Sequence, residues 1–255
     1  MIHIYTYLCN KCSKKFITRK KDQKFCSKSC ANSSSSISRK IYERSIFENG
    51  LNNVSAYILG IILSDGCLSY DMHSKRYRIT ISMNDNRLIE FLRSNYSPKK
   101  KLYKYKNTRG NGITYTFITT NEYDIEFIKQ MGINECKSLT LKFPSIDKTY
   151  INSMIRGIFD GDGSVYINRT KSNNKYYEYV NASFTTGSEE FADSLLEILI
   201  ENNINAHKIK DSRIEKNTWY VKIYSKDDVR RLYEYMYKDC VLYMKRKKDL
   251  FNMMI

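Results

Sequence analysis

Histidine is nearly absent. His3, His73 and His207 are the only three in 255 residues, and they stand far apart. That excludes a His-Asn-His nuclease site. Glycine is sparse, ten in all, and nowhere gathers into the loop that cradles a nucleoside triphosphate. No apolar run reaches the length that spans a bilayer. The first residues, Met1-Ile-His-Ile-Tyr-Thr-Tyr-Leu-Cys9, lack the charged head and long apolar core of a signal peptide. An intracellular protein, not bound to membrane, is expected. Acidic residues are outnumbered, 27 Asp and Glu against 43 Lys and Arg, for a formal charge of +16. Such an excess favours a polyanion as partner. The apolar fraction of 42% and the chain length allow one large core or two or three small ones.

What is present is a repeat. Residues 55–66 read Ser-Ala-Tyr-Ile-Leu-Gly-Ile-Ile-Leu-Ser-Asp-Gly, and 153–163 read Ser-Met-Ile-Arg-Gly-Ile-Phe-Asp-Gly-Asp-Gly. At an offset of 97 residues, Ala56, Gly60 and Ser64 fall on Ser153, Gly157 and Gly161. Small residues four apart share one helix face, and such a face lets two backbones approach closely. Asp65 and Asp162 follow, each trailed by a glycine that can end the helix. Two helices packed on these faces would bring two carboxylates together at their C-terminal ends. Both the helix dipole and the neighbouring charge oppose an anion there. A divalent cation is the natural remedy.

Both nine-residue stretches, Ile58–Gly66 and Ile155–Gly163, resemble the LAGLIDADG motif of homing endonucleases. The resemblance covers roughly residues 50–255 as a single-chain, two-motif member. It implies an α+β fold: two pseudo-symmetric αββαββα repeats forming a DNA-binding saddle, here preceded by a small zinc module. It implies a monomer that cleaves both strands of a long duplex site, with magnesium bound by Asp65 and Asp162 and staggered 3′ ends. It also implies a basic residue from each repeat near the pair. Lys137, after the first repeat, and Lys247, in the cluster Lys245-Arg-Lys247-Lys248, are the choices, with Lys245 close behind. Asp160 is set aside, because the first repeat has Leu63 at the matching place. Inteins with this nuclease fold carry splicing residues at both ends. Met1-Ile2 and Met254-Ile255 offer none, so a freestanding or intron-encoded protein is expected. A non-cleaving nucleic-acid binder on the same fold, an intron maturase or regulator, is the alternative.

The expected organisation is a cysteine module at 1–30, a basic linker and helix at 31–54, and repeats at 55–150 and 151–255. Cys9-x2-Cys12 and Cys26-x3-Cys30 have the spacing of a tetrahedral zinc site, and metal would supply the folding energy of so short a segment. Cys67, Cys136 and Cys240 are lone residues and read as packing. The first fifty residues hold eleven Lys or Arg against three Asp or Glu. They are expected to be a detachable grip on the DNA backbone, whose removal leaves a folded core. Residues 37–47 carry a loose apolar stripe. After Asp65-Gly66 a polar turn is expected, then strands at 76–82, 99–106, 113–119, 164–168, 176–185, 206–210 and 218–224. Helices are expected at 84–94, 121–131, 188–202 and 227–237. Arg76, Arg78, Lys101, Lys104, Arg169, Lys171, Lys208, Lys210 and Lys222, on strands and hairpins, are expected to form one DNA-binding face.

Overall fold

The computed structural model describes residues 3–34, 43–106, 112–172, 174–213 and 217–254. The stripe at Ile37 and Ile41 and most of the turn at 107–112 lie outside them.

In the amino-terminal module β1 (Tyr5–Leu8) pairs antiparallel with β2 (Lys15–Thr18), and residues 28–34 are helical. Helix α1 (Asn53–Ser64) starts at a capping box, in which Asn52 accepts from the Ser55 amide and the Ser55 hydroxyl from the Asn52 amide. Every residue from Ser55 to Leu63 is buried, the mark of a helix enclosed on all sides. The chain continues through β3 (Gly66–Asp71), β4 (Arg76–Met83), α2 (Asn86–Tyr96), β5 (Tyr103–Lys106), β6 (Ile113–Thr119) and α3 (Glu122–Gln130). The second repeat follows the same order: α4 (Lys148–Asp162), β7 (Ser164–Ser172), β8 (Lys175–Thr186), α5 (Glu189–Glu201), β9 (His207–Lys210), β10 (Trp219–Ile223) and α6 (Lys226–Tyr237). Helix α7 (Lys245–Met254) ends the chain. The two antiparallel sheets share one strand order, β3-β4-β6-β5 and β7-β8-β10-β9. Two pseudo-symmetric lobes thus make a saddle, preceded by the cysteine cluster.

The expected polar turn after Asp65-Gly66 is instead strand β3. Its only buried large apolar residue is Leu68, opposite Ile79, so an edge strand left no alternating apolar signal. Helix α7 was also not expected, because its basic start masks an amphipathic segment anchored by Phe251. Helix α4 begins five residues before the expected Ser153, at the Asp147 cap.

The α1–α4 seam is as close as the small-residue faces require. A Cβ added to Gly60 would lie 2.1 Å from the Met154 carbonyl oxygen, and one on Gly157 would lie 2.1 Å from that of Tyr57.

The first lobe begins earlier than residue 50. Ile46 and Phe47 are buried in the core, and Phe47 stacks on Phe127 at 4.3 Å. The Arg44 amide donates to the Tyr96 carbonyl at 2.9 Å. Asp124 accepts from the Ser45 hydroxyl at 2.5 Å and the Ile46 amide at 2.8 Å. Removing residues 1–50 would therefore open the core, which corrects the expectation that they detach cleanly. The lobe contacts reach back at least to Glu43, which pairs with Lys100.

Asp124 makes a pH prediction. Burial pushes its carboxyl up to about 6, against the hydrogen bonds from Ser45, Phe47 and Ile46. In the unfolded chain it titrates near 4. Between these values the folded state holds a proton that the unfolded state has lost. Stability therefore falls as pH rises from about 4 to 6, by an amount on the order of 3 kcal/mol. Asp124→Asn keeps an acceptor oxygen and removes the charge. In melting curves from pH 4.5 to 7.5 the variant should gain on the parent as pH rises, with the gap levelling off above 6. A gap independent of pH would show that this carboxyl does not titrate there.

Candidate active site and nucleic-acid interface

Asp65 caps α1 with helical backbone (φ −84°, ψ −2°), and Asp162 is the last residue of α4. The seam places them side by side. A Cβ on Gly161 would lie 2.0 Å from Ser64 Oγ and 3.3 Å from Asp65 Oδ2. Asp65 is pushed above the usual carboxylate range by burial and then by the charge of Asp162. Asp162 is raised by burial, against Lys137 and Lys247. Two neighbouring carboxylates at two helix C-termini, Asp65 half-buried and Asp162 open to solvent, form a donor set that suits a hard divalent cation.

Lys137 and Lys247 occupy matching positions. Lys137, 8% exposed, donates to the carbonyls of Leu63 (2.7 Å) and Ser64 (3.1 Å) at the end of α1. Lys247, 5% exposed, donates to Phe159 (2.6 Å), Gly161 (2.9 Å) and Gly163 (2.7 Å) at the end of α4. Each caps the motif helix of its own repeat and leaves a buried cation beside the carboxylates. Burial lowers both lysines, Lys247 to about 8, while the charges of Asp65 and Asp162 act to keep them protonated. Lys245 is exposed and pairs with Asp249 at 2.5 Å, away from the seam.

Asp160 lies fully buried and accepts from Tyr57 Oη (2.8 Å), Tyr237 Oη (2.6 Å) and the Met244 amide (2.7 Å). It ties α4 to α1, α6 and the approach to α7.

In the module the four sulfurs of Cys9, Cys12, Cys26 and Cys30 lie within 4.8 Å of one another. Cys26 stands 3.6 Å from both Cys12 and Cys30. A tetrahedral zinc with bonds of about 2.3 Å holds its sulfurs about 3.8 Å apart, so the donor set fits. Burial opposes the Cys9 thiolate, but the amides of Cys26, Cys12 and Lys11 bring it down to about 6. Cys26 is pushed up to about 12, first by its contact with Cys30. Four sulfurs this close need a cation before all can ionise.

Strand register divides the predicted basic face. On β4, Ile79 and Ile81 point to the helices, so Arg76 and Arg78 occupy the open face. On β10, Val221 and Ile223 point inward, so Lys222 is also on the open face. Lys208 and Lys210 pair with Val221 and Trp219 and therefore share the helix side. There Lys208 binds Glu189 and Asp193 on α5, and both lysines lie over the Trp219 ring. Lys104, opposite Tyr115, is on the helix side of its sheet too. Arg169 and Lys171 share the parity of Val165 and Ile167, the helix side of β7, and Arg169 pairs with Glu178 at 2.7 Å. Lys101 is exposed just before β5. One shared face for all nine is thus corrected: charge along a strand does not reveal its two-residue parity.

The open faces instead carry residues that a search for lysine passes over. Tyr103 and Tyr105 stand opposite Thr116 and Thr114, and Tyr177 and Tyr179 opposite Thr170 and Asn168. All four tyrosines are exposed. Alternation in Tyr-Lys-Tyr-Lys106 was the signal that could have found two of them.

The family profile described as a LAGLIDADG-like domain matches residues 149–237, the second lobe. A solved structure of the I-SmaMI LAGLIDADG homing endonuclease bound to cleaved DNA is similar at TM-score 0.54 and 14% identity, over 78% of this chain and 86% of that one. The meganuclease I-AabMI bound to uncleaved DNA is similar at TM-score 0.52 and 14% identity, over 80% and 92%. The DNA-directed RNA polymerase subunit Rpo1C of Methanocaldococcus jannaschii is 26% identical over 183 residues, 70% of this chain and 19% of that protein. The chain thus spans about a fifth of that relative's length. The fold is that of the LAGLIDADG homing endonucleases. No helix among the described residues is long and apolar enough to cross a membrane.

Proposed function

We propose that this protein is a site-specific double-stranded DNA endonuclease of the homing type, acting as a monomer through Asp65 and Asp162. One observation carries the reading: two carboxylates raised by burial meet at a glycine-locked seam, with a buried lysine beside each. A magnesium ion held by Asp65 and Asp162 would make bound water nucleophilic and offset charge at the phosphate. Lys137 and Lys247, fixed by helix-end carbonyls, add positive charge where the transition state gains negative charge. Each open sheet face would lie on one half of the site, with Arg76, Arg78 and Lys222 on phosphates and tyrosine, threonine and asparagine groups toward base edges.

The test starts from a duplex selected by the full chain from a randomised pool in calcium, then moved to magnesium. A double-strand break at one fixed position is expected. Tight binding with neither strand cut would favour the maturase or regulator reading.

Zinc at Cys9, Cys12, Cys26 and Cys30 would be structural and separate from cleavage. Full-length protein should carry one zinc per chain, and deletion of residues 1–42 should remove it. The shortened protein should melt as the parent core does, yet bind the selected duplex more weakly. Its salt dependence should be shallower by about one unit for each phosphate that the module had neutralised. An unchanged slope would show that the module does not hold DNA, and retained zinc would move the metal elsewhere.

A further inference from the structure

The two sides of the seam differ. On the Asp65 side a cavity of about 650 Å3 opens between the end of β4 and the start of α7, walled by Asp65, Asp85, Arg87 and Arg246 among others. On the Asp162 side the matching cavity, between the end of β8 and the turn after α3, measures about 180 Å3 and is walled by Lys137, Ser138, Asp162 and Gly187 among others. Shared anchors align the two sides. Asp85 and Ser188 are the caps of α2 and α5, and Lys137 and Lys247 cap the motif helices.

Counting from these anchors, Arg87 stands where the second lobe has Glu190, and Arg246 where the first has Cys136. Both arginines are exposed, Arg87 by 63% of its side chain. Asp85 stands near Arg87, with Nε at 3.8 Å, and the same oxygen is already taken by the Arg87 amide at 2.9 Å. Glu190 is drawn off to Lys142 at 2.9 Å. The small cavity is closed by contacts between the two lobes. A Cβ on Gly187 would lie 2.5 Å from the Ser138 carbonyl, and Ser188 Oγ donates to the Leu141 carbonyl at 2.6 Å.

We propose that the Asp65-side cavity is the stronger of two phosphate-binding half-sites, gripped by Arg87 and Arg246, and that the protein therefore cuts its two strands at unequal rates. The inference rests on the endonuclease reading. A planar guanidinium can hold two phosphate oxygens at once, so two exposed arginines beside a roomy cavity suit a bent backbone. At the matching positions of the other side stand a carboxylate, Glu190, which repels phosphate, and Cys136, which supplies no cation.

The probe is the selected duplex, labelled on each strand in turn. Wild type should cut one strand several-fold faster. Arg87→Gln with Arg246→Gln should slow that strand about tenfold or more, the loss expected for charge-assisted hydrogen bonds, and leave the other unchanged. Both residues are exposed, and a melting curve verifies that the variant is folded. Phosphate ethylation interference on the calcium complex, which needs no cleavage, should be stronger on one side of the centre in wild type and even in the variant. Equal strand rates with even interference, or equal slowing of both strands by the variant, would overturn the proposal. One-sided interference without any cut would uphold the grip and sink the endonuclease reading.

Discussion

Asp65→Asn and Asp162→Asn are each expected to lower double-strand cleavage by about 10²–10³-fold or more, while the fold survives. Asparagine matches the carboxylate in size but cannot neutralise a divalent ion. Stability gives an independent readout. Both carboxyls sit above their ordinary range, chiefly through burial. A raised folded-state value means that stability falls as pH rises, so at neutral pH the charged forms are a cost. Without metal, each Asn variant should melt at or above the parent temperature, and magnesium should raise the parent's melting point more than the variants'. A variant that cuts fully has lost no catalytic group. One that fails only because it unfolds shows a structural role.

Substitution at the seam should be as damaging for the opposite reason. Gly60→Ala or Gly157→Ala would drive a methyl to 2.1 Å from a backbone oxygen, with the facing glycine Cα at 2.9 Å. No rotamer relieves a Cβ, so the helices must part. Overpacking of well-fitted cores costs about 1–3 kcal/mol, and a backbone-to-backbone clash belongs at or beyond the upper end. Leucine should be worse than alanine. Because the carboxylates ride on the helix ends, cleavage should fall with stability even at temperatures where the variant remains folded. Unchanged melting in both alanine variants would place the closest approach elsewhere.

The motif helices were legible because two constraints coincide in one stretch: small residues every fourth position and an Asp-Gly end. The basic cluster does not distinguish Lys247 from Lys245; α7 turns position 247 inward and 245 toward Asp249. The open sheet faces were only partly legible. Lys208 and Lys210 are as basic in sequence as Arg76 and Arg78, but register against Val221 and Trp219 sends them to the helix side. Asp124 gave no signal at all. An acid in the first turn of a helix is ordinary, and nothing local tells that Ile46 and Phe47 lie folded over it. The arginines at 87 and 246 carry no signal of their own in the sequence, since only the lobe-to-lobe comparison sets them apart.

The most direct measurement is strand-resolved cleavage of the selected duplex by wild-type protein as calcium is exchanged for magnesium. A paired-carboxylate centre at the seam predicts one cut in each strand, at fixed positions that straddle the centre of the protected region, and both lost with either Asn variant. Stable, centred protection with no cut in either strand, or cuts that persist when Asp65 and Asp162 are both replaced, would contradict it.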